Sequence, residues 1–468
     1  MMANARPNVL FILLDDFGWT DAACYASSFY ETPRIDQLAK EGMRFTNAYA
    51  ACPVCSPTRA SILTGKYPAR LGVTQWLGGC AEGKLANVPY VDHLSCEETT
   101  LAQVLKDGGY ATWHVGKWHL SKHGDQRFET YPEKHGFDVN IGGCDWGAPK
   151  NGYFTPYGLE TLTDGVEGEY LTDRLTEEAI RLIEGSQDEP WFMHLSHYAV
   201  HTPIECYEPL VEKYRQKSEA LGLAKEDPFV EGESFPCLHK KDQKVTRRVV
   251  QSDPAYAAMV ENIDTNIGRV LDAIDSAGQR DNTIVIFFSD NGGLATAEGS
   301  PTCNAPLHEG KGWMYEGGTR EPLIVRWPKV VPAGAITKQI ATSTDFYPTL
   351  LECAGRPLLP EQHCDGVSLL PVLKGEADLD RGAIFWHYPH YSNQGGSPGC
   401  SMREGDWKLI EFFEDNRVEL YNLEDDISEE YDVGSEYPEK RDDMLLKLSE
   451  WRKSICAKIP KVNMNYGG

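Results

Sequence analysis

The chain lacks any apolar run long enough to cross a bilayer, which needs about 20 residues. Its opening stretch, MMANARPNVLFILLDD, has an apolar segment that ends in two aspartates, with no charged leader region and no small-residue cleavage site ahead of it. As it stands, the sequence carries no visible address and reads as cytoplasmic. A removed signal segment would make the same chain periplasmic or secreted. Positive charge is also scarce: 45 Lys and Arg stand against 70 Asp and Glu, for a net charge of −25. Such a balance disfavours nucleic acid and anionic membranes as partners, so any anionic substrate must be met by cations gathered locally. The 13 cysteines are odd in number and scattered without paired spacing, which excludes a disulfide framework or a zinc ribbon and fits a reducing compartment, with one or two bridges as the alternative. There is no internal repeat and no low-complexity tract.

What is present is a 468-residue chain, 41% hydrophobic, long enough for a large core and more than one compact unit. NVLFILLDD reads as a buried strand of the parallel kind, apolar throughout and ending at Asp15 and Asp16. ATWHVGKWH, WFMHLSH and TIVIFFSDNGG look alike, and helical patterns such as LTDRLTEEAIRLIEG lie between them. Alternating strands and helices predict a largely parallel sheet covered by helices on both faces, with sites beyond the carboxyl ends of its strands. Each strand delivers a polar cluster there: Asp15 and Asp16, Lys117 and His119, His197 and His201, Asp290 and Asn291. Residues 205 to 252 are charged and read as a surface insertion. After about residue 375 the texture becomes that of a small antiparallel sheet with a terminal helix, which divides the chain into units 1–375 and 376–468.

Several of these clusters have plain structural readings when taken singly. Adjacent acids at one strand end can cap a loop. Two such pairs, Asp15-Asp16 and Asp290-Asn291, supply four oxygen-bearing side chains, a donor set that suits Ca²⁺ or Mg²⁺ rather than zinc. Lys117, His119, His201 and Lys311 are the local positive charge that the acidic chain otherwise lacks. In YEGGTR, Glu316 and Arg320 read as scaffold around a turn. CPVCSPTRASILTG, residues 52 to 65, is a loop running into a helix, and it places a thiol at Cys55, two residues before a proline and four before Arg59.

Taken together, LLDDFG, CSPTRASILTG, GKWHL, HTPIECYEP, FSDNGG and GKGWMYEGGTR, in this order over roughly residues 7 to 350, resemble the type I, formylglycine-dependent sulfatases of the alkaline phosphatase superfamily. The resemblance implies a mixed, largely parallel sheet flanked by helices and a smaller C-terminal subdomain. It implies that a maturation enzyme, recognising Pro57 and Arg59, oxidises Cys55 to formylglycine. Hydrated to a geminal diol, that group attacks sulfur, displaces the alcohol, and expels sulfate by collapse to the aldehyde. His119 is then the base for collapse, and Asp290 takes the nucleophile's proton. Lys311 and His201 hold the sulfate and protonate the leaving oxygen, while Arg59 and Lys117 hold the hydroxyls at position 55. Asp15, Asp16, residue 55, Asp290 and Asn291 are the implied ligands of a divalent cation, usually Ca²⁺ in the family, with Mg²⁺ compatible with the same oxygens.

The tail resembles that of bacterial carbohydrate sulfatases acting at chain ends on sulfated galactose or N-acetylgalactosamine, with the 4-O-sulfate singled out. Trp386, His387, His390, Asn393 and Arg403 are the residues it would bring to the sugar, although Trp386 and Trp407 also suit a plain sheet core. Two other functions share these features: a phosphonate monoester or phosphodiester hydrolase of the same superfamily, and an inactive binder of sulfated glycans.

Overall fold

A computed structural model describes residues 6–125, 128–186, 189–225, 227–379 and 381–466. Its centre is an eight-stranded sheet. In chain order the strands are β1 (Asn8–Leu14), β2 (Met43–Tyr49), β3 (Ala111–Gly116), β4 (Val139–Ile141), β5 (Trp191–Ser196), β8 (Thr283–Ser289), β9 (Arg320–Arg326) and β10 (Ala335–Thr342). The surface hairpin of β6 (Phe229–Ser234) and β7 (Lys244–Arg248) intervenes. The sheet order is β10-β2-β9-β8-β1-β5-β3-β4, with β9 the one strand antiparallel to its neighbours.

The apolar run of β1 is buried on both faces, as its lack of alternation requires. Leu10, Ile12 and Leu14 face one layer, with helices Leu171–Glu184 and Pro254–Ser276. Val9, Phe11 and Leu13 face the other, with helices Cys55–Thr64, Leu101–Asp107 and Phe346–Cys353. The helix Pro254–Ser276 shows how the sequence marks its start: Pro254 fills the first turn, and the Asp253 carboxylate accepts from the backbone N–H of Ala255 and Tyr256.

Register decides where the chemistry sits. Leu14 of β1 pairs with Ser289 of β8, and Ser196 of β5 lies within one residue of that level, opposite both Leu13 and Gly116. Four strand ends are therefore level on one edge, and the residues that follow each of them meet. Because β9 runs the other way, its amino end and the turn before it, which carries Lys311, arrive at the same edge.

Beyond the connection that follows Leu370–Leu373, the chain enters an antiparallel sheet of β11 (Ile384–Tyr388), β12 (Gly399–Glu404), β13 (Trp407–Phe412) and β14 (Val418–Asn422). One face is covered by the helix Pro438–Ser454 through Met444 and Leu448. The other packs Ile384, Trp386, Tyr388 and Ile410 against Tyr49, Cys52, Val54 and Met314 of the main body. Lys408 seals this contact, fully buried between Glu316 and Glu429 at 2.9 and 2.8 Å. Glu316 also pairs with Arg320, so both have the scaffold role the sequence suggested.

Two expectations change. The segment 205 to 252 is more ordered than its charge implied, since the helix Glu208–Ala220 buries Tyr214 against Phe29. GKWH does not continue a strand: β3 stops at Gly116, and His119 takes a left-handed backbone at φ 52. All 13 cysteines are free. Among the described residues no helix is long and apolar enough to cross a membrane.

Candidate active site

Cys55 is the first residue of the helix Cys55–Thr64 and is only 3% exposed. Its Sγ stands where the oxygens of an oxidised side chain would be, and it lies 3.3 Å from Nδ1 of His119. The His119 Nε2 faces the Leu77 carbonyl at 3.3 Å. The carbonyl accepts a hydrogen bond from Nε2–H, which fixes the proton on that nitrogen and leaves Nδ1 as a bare lone pair aimed at position 55. Burial, with Lys117 and Arg59 nearby, holds His119 well below the usual histidine range, so it is neutral and able to accept a proton. The imidazole has this place because residue 147 is glycine: a Cβ there would overlap the ring.

Arg59, one turn further along the helix, ties three strand ends together. It donates from Nε to Asp290 Oδ2 at 2.8 Å, and from Nη1 to the Lys117 carbonyl at 2.9 Å and Ser196 Oγ at 2.6 Å. Lys117 reaches Asp15 at 2.6 Å, Lys311 reaches Asp16 at 2.7 Å, and His201 Nε2 is 3.7 Å from the same Asp16 oxygen. Despite burial, Lys311, His201 and Lys117 hold Asp16 below its ordinary value. Burial pushes Asp15 up to about 8 against the pull of Lys117. His201 falls to about 3 through burial and the charge of Lys311, in spite of Asp16.

The donor set fits a hard cation. Asp15, Asp16 and His201 offer ligand atoms within 4.8 Å of one another. Asp15 Oδ1 and Asn291 Oδ1 are buried and accept no hydrogen bond, which is costly unless a cation completes them. Asp290 Oδ1 stands beside them, accepting from the Asp16 N–H at 3.3 Å. The sequence put His201 at the same edge as these acids but not among the metal ligands, because its approach to Asp16 depends on the turn after β5.

These groups meet a cavity of about 480 Å³. Cys55, His119, His201 and Lys311 line it, with Trp76 to Gly78, His123, Asp145 to Ala148, Glu298, Asn393 and Gln394. Of the five residues expected at the sugar, the structure brings Asn393 here and not the others. His387 turns its Nε2 to the Lys458 carbonyl at 2.9 Å, His390 bonds Thr74 Oγ1 at 2.8 Å, and Arg403 donates to the Gly405 carbonyl at 2.8 Å and lies over Tyr49. All three are buried, each with at least one polar atom bonded where the small sheet meets its surroundings. Trp386 likewise gives its N–H to the Ala50 carbonyl. The residues that sequence reasoning missed, Trp76, Leu77, Asp145, Trp146, Gly147 and Glu298, sit on loops without periodic pattern. An aromatic beside glycine, as in WLGG and DWG, was the one signal available.

The sulfatase family model matches residues 7–356, and a model described as N-sulphoglucosamine sulphohydrolase, C-terminal, matches residues 308–453. The chain belongs to the sulfatase family. A protein of Formosa agariphila named sulfatase is 32% identical, spanning 98% of this chain and 92% of its own length. The human N-acetylgalactosamine-6-sulfatase is 31% identical over 82% of this chain and 69% of its own. The solved structure of Ps i-CgsB in complex with k-i-k-neocarrahexaose superposes with a TM-score of 0.74 at 28% identity, covering 95% of this chain and 92% of that one. The protein is a sulfuric ester hydrolase.

Proposed function

We propose that the protein is an exo-acting carbohydrate sulfatase that removes a sulfate ester from galactose or N-acetylgalactosamine, using a formylglycine made from Cys55 by a maturation enzyme. The observation that carries this reading is the 3.3 Å approach of Cys55 to the bare Nδ1 of His119, both lining a cavity of about 480 Å³ that Lys311 and His201 join to the acidic cluster. A deep pocket with its reacting group 3% exposed suits a terminal sugar better than the middle of a chain. Relatives named N-acetylgalactosamine-6-sulfatase favour the 6-O-sulfate over the 4-O position expected from the tail.

In this reading the hydrated formylglycine supplies the nucleophile and, later, the hydroxyl whose deprotonation expels sulfate. Asp15, Asp16, Asp290, Asn291 and residue 55 would hold the divalent cation, Ca²⁺ or Mg²⁺, which supplies charge neutralisation at a sulfate oxygen. Arg59 orients Asp290 and the end of β3. Asp290 receives the nucleophile's proton. Lys117 and Lys311 bind the sulfate, and Lys311 with His201 delivers a proton to the departing oxygen, the proton coming from the Lys311 ammonium because His201 itself is neutral. His119, neutral and facing position 55, takes the proton that triggers collapse. Asn393 meets the sugar at the rim.

The test is a desulfation screen over defined mono- and disaccharides carrying 4-O- or 6-O-sulfate, run beside an aryl sulfate and an aryl phosphonate. Preferred turnover of a 6-O-sulfated galacto-configured sugar is expected. A faster phosphonate reaction would replace the reading with the diesterase-like one. An unmodified thiol at residue 55 in protein from the native host, seen by peptide mass spectrometry, would favour a binder.

A further inference from the structure

Most surface cations of this acidic chain are neutralised by carboxylates, as Lys84 is by Glu414, Lys213 by Glu31 and Glu261, and Lys447 by Glu404. Two lysines that contact residues lining the cavity differ. Lys150 is exposed and holds its ammonium 5.1 Å from the ring centre of Trp146, which lines the cavity. Lys240, in the turn of the β6–β7 hairpin, donates to the carbonyl of Asn393, another lining residue, at 2.7 Å. Among the described residues neither lysine is in an ion pair. The two acids that line the same cavity are not within ion-pair distance of either lysine and have other partners. Asp145 accepts from the Gly124 N–H at 2.8 Å and faces His123 at 3.2 Å, and Glu298 accepts from Gln394 at 2.7 Å.

An aromatic ring and a carbonyl hold the two ammonium groups in place without cancelling their charge. In a protein of net charge −25 that leaves two cations without ion-pair partners beside the lining of a cavity that already contains Lys311. We propose that Lys150 and Lys240 form a second anion-recognition site, taking a carboxylate or sulfate on the sugar next to the one whose ester is cleaved, so that the substrate class is a polyanionic oligosaccharide. This rests on the carbohydrate sulfatase reading above. It also gives the hairpin a function: it carries Lys240 to the rim.

The experiment compares the matured enzyme with the double variant Lys150→Gln/Lys240→Gln. Four substrates serve: an aryl sulfate, N-acetylgalactosamine 6-sulfate, a disaccharide joining that sugar to a uronic acid, and the same disaccharide with its carboxyl reduced to an alcohol. A fifth, with a second sulfate in place of the carboxylate, tells which anion is preferred. The double variant should lose roughly three- to tenfold in kcat/KM on the two dianionic disaccharides, the scale of two exposed charge contacts, and added salt should erode the parent's advantage. The aryl sulfate, the monosaccharide and the reduced disaccharide should change little. Equal loss on neutral and anionic disaccharides, or no loss on either, overturns the proposal. If no sugar is turned over while the aryl sulfate is, the carbohydrate reading fails separately. Inhibition of aryl sulfate hydrolysis by the dianionic and reduced disaccharides then decides the rim site by the same comparison.

Discussion

Removing the Arg59 guanidinium should destabilise the protein more than any other single change at this site, and by an amount that depends on the cation. Arg59 is 1% exposed and holds the fully buried carboxylate of Asp290 with two nitrogens, at 2.8 and 2.7 Å, with Asp15 3.8 Å away. Taking away one partner of a buried pair leaves an uncompensated charge, at a cost of about 3–5 kcal/mol. Arg59→Met should therefore lose about that much in chelator. Arg59→Lys keeps the charge but cannot reproduce the fork that also reaches the Lys117 carbonyl and Ser196 Oγ, so a loss of about 1–3 kcal/mol is expected. A divalent cation among Asp15, Asp16 and Asp290 would neutralise the same carboxylates, and saturating Ca²⁺ should shrink the Arg59→Met deficit through linkage. Urea unfolding of both variants and the parent, with chelator and with Ca²⁺, reads this directly and needs no maturation of Cys55. A deficit in chelator below about 1 kcal/mol, or one that Ca²⁺ leaves unchanged, would refute the reasoning.

Cys55→Ala should abolish turnover while costing about 1 kcal/mol or less in stability, and detectable multiple turnover by that variant would end the formylglycine reading. His201→Ala should be impaired more on a sugar sulfate than on an aryl sulfate, whose leaving group needs little protonation, whereas His119→Ala should fail on both and accumulate a sulfated protein visible by intact mass. Burial holds His387 down at about 4 from 6.5, against its bond to the Lys458 carbonyl and with Arg452 adding to the depression. A depressed folded value means that the stability it contributes is complete above pH 6.5 and is lost as pH falls towards 4, about 3 kcal/mol in all. His387→Gln should accordingly flatten the fall in urea stability across that window, though His135 and others of its kind keep some slope; parallel curves for parent and variant would count against it.

The sequence by itself determined the sheet and the chemistry at its strand ends. Short apolar runs without alternation, rich in β-branched and aromatic residues, read as strands buried on both faces, and each of NVLFILL, WFMHLS and TIVIFFS ends where polar residues begin, so Asp15, Asp16, Asp290 and Asn291 were legible as an oxygen-rich set. Cys55, Pro57 and Arg59 were legible because their spacing is local. Tertiary structure decided everything that depends on which loops converge. That the four ends are level is a matter of register, seen in Leu14 opposite Ser289. The lone pair of His119 faces Cys55 because the Leu77 carbonyl claims its other nitrogen and Gly147 leaves the ring room, relations between residues 42 and 28 positions away that no periodicity encodes. The same holds for the sugar side. His387, His390 and Arg403 had the right chemistry in the tail, but strands alternate their faces, and the packing of the small sheet gave those side chains buried partners. Asn393, on a loop just beyond β11, was left facing the cavity.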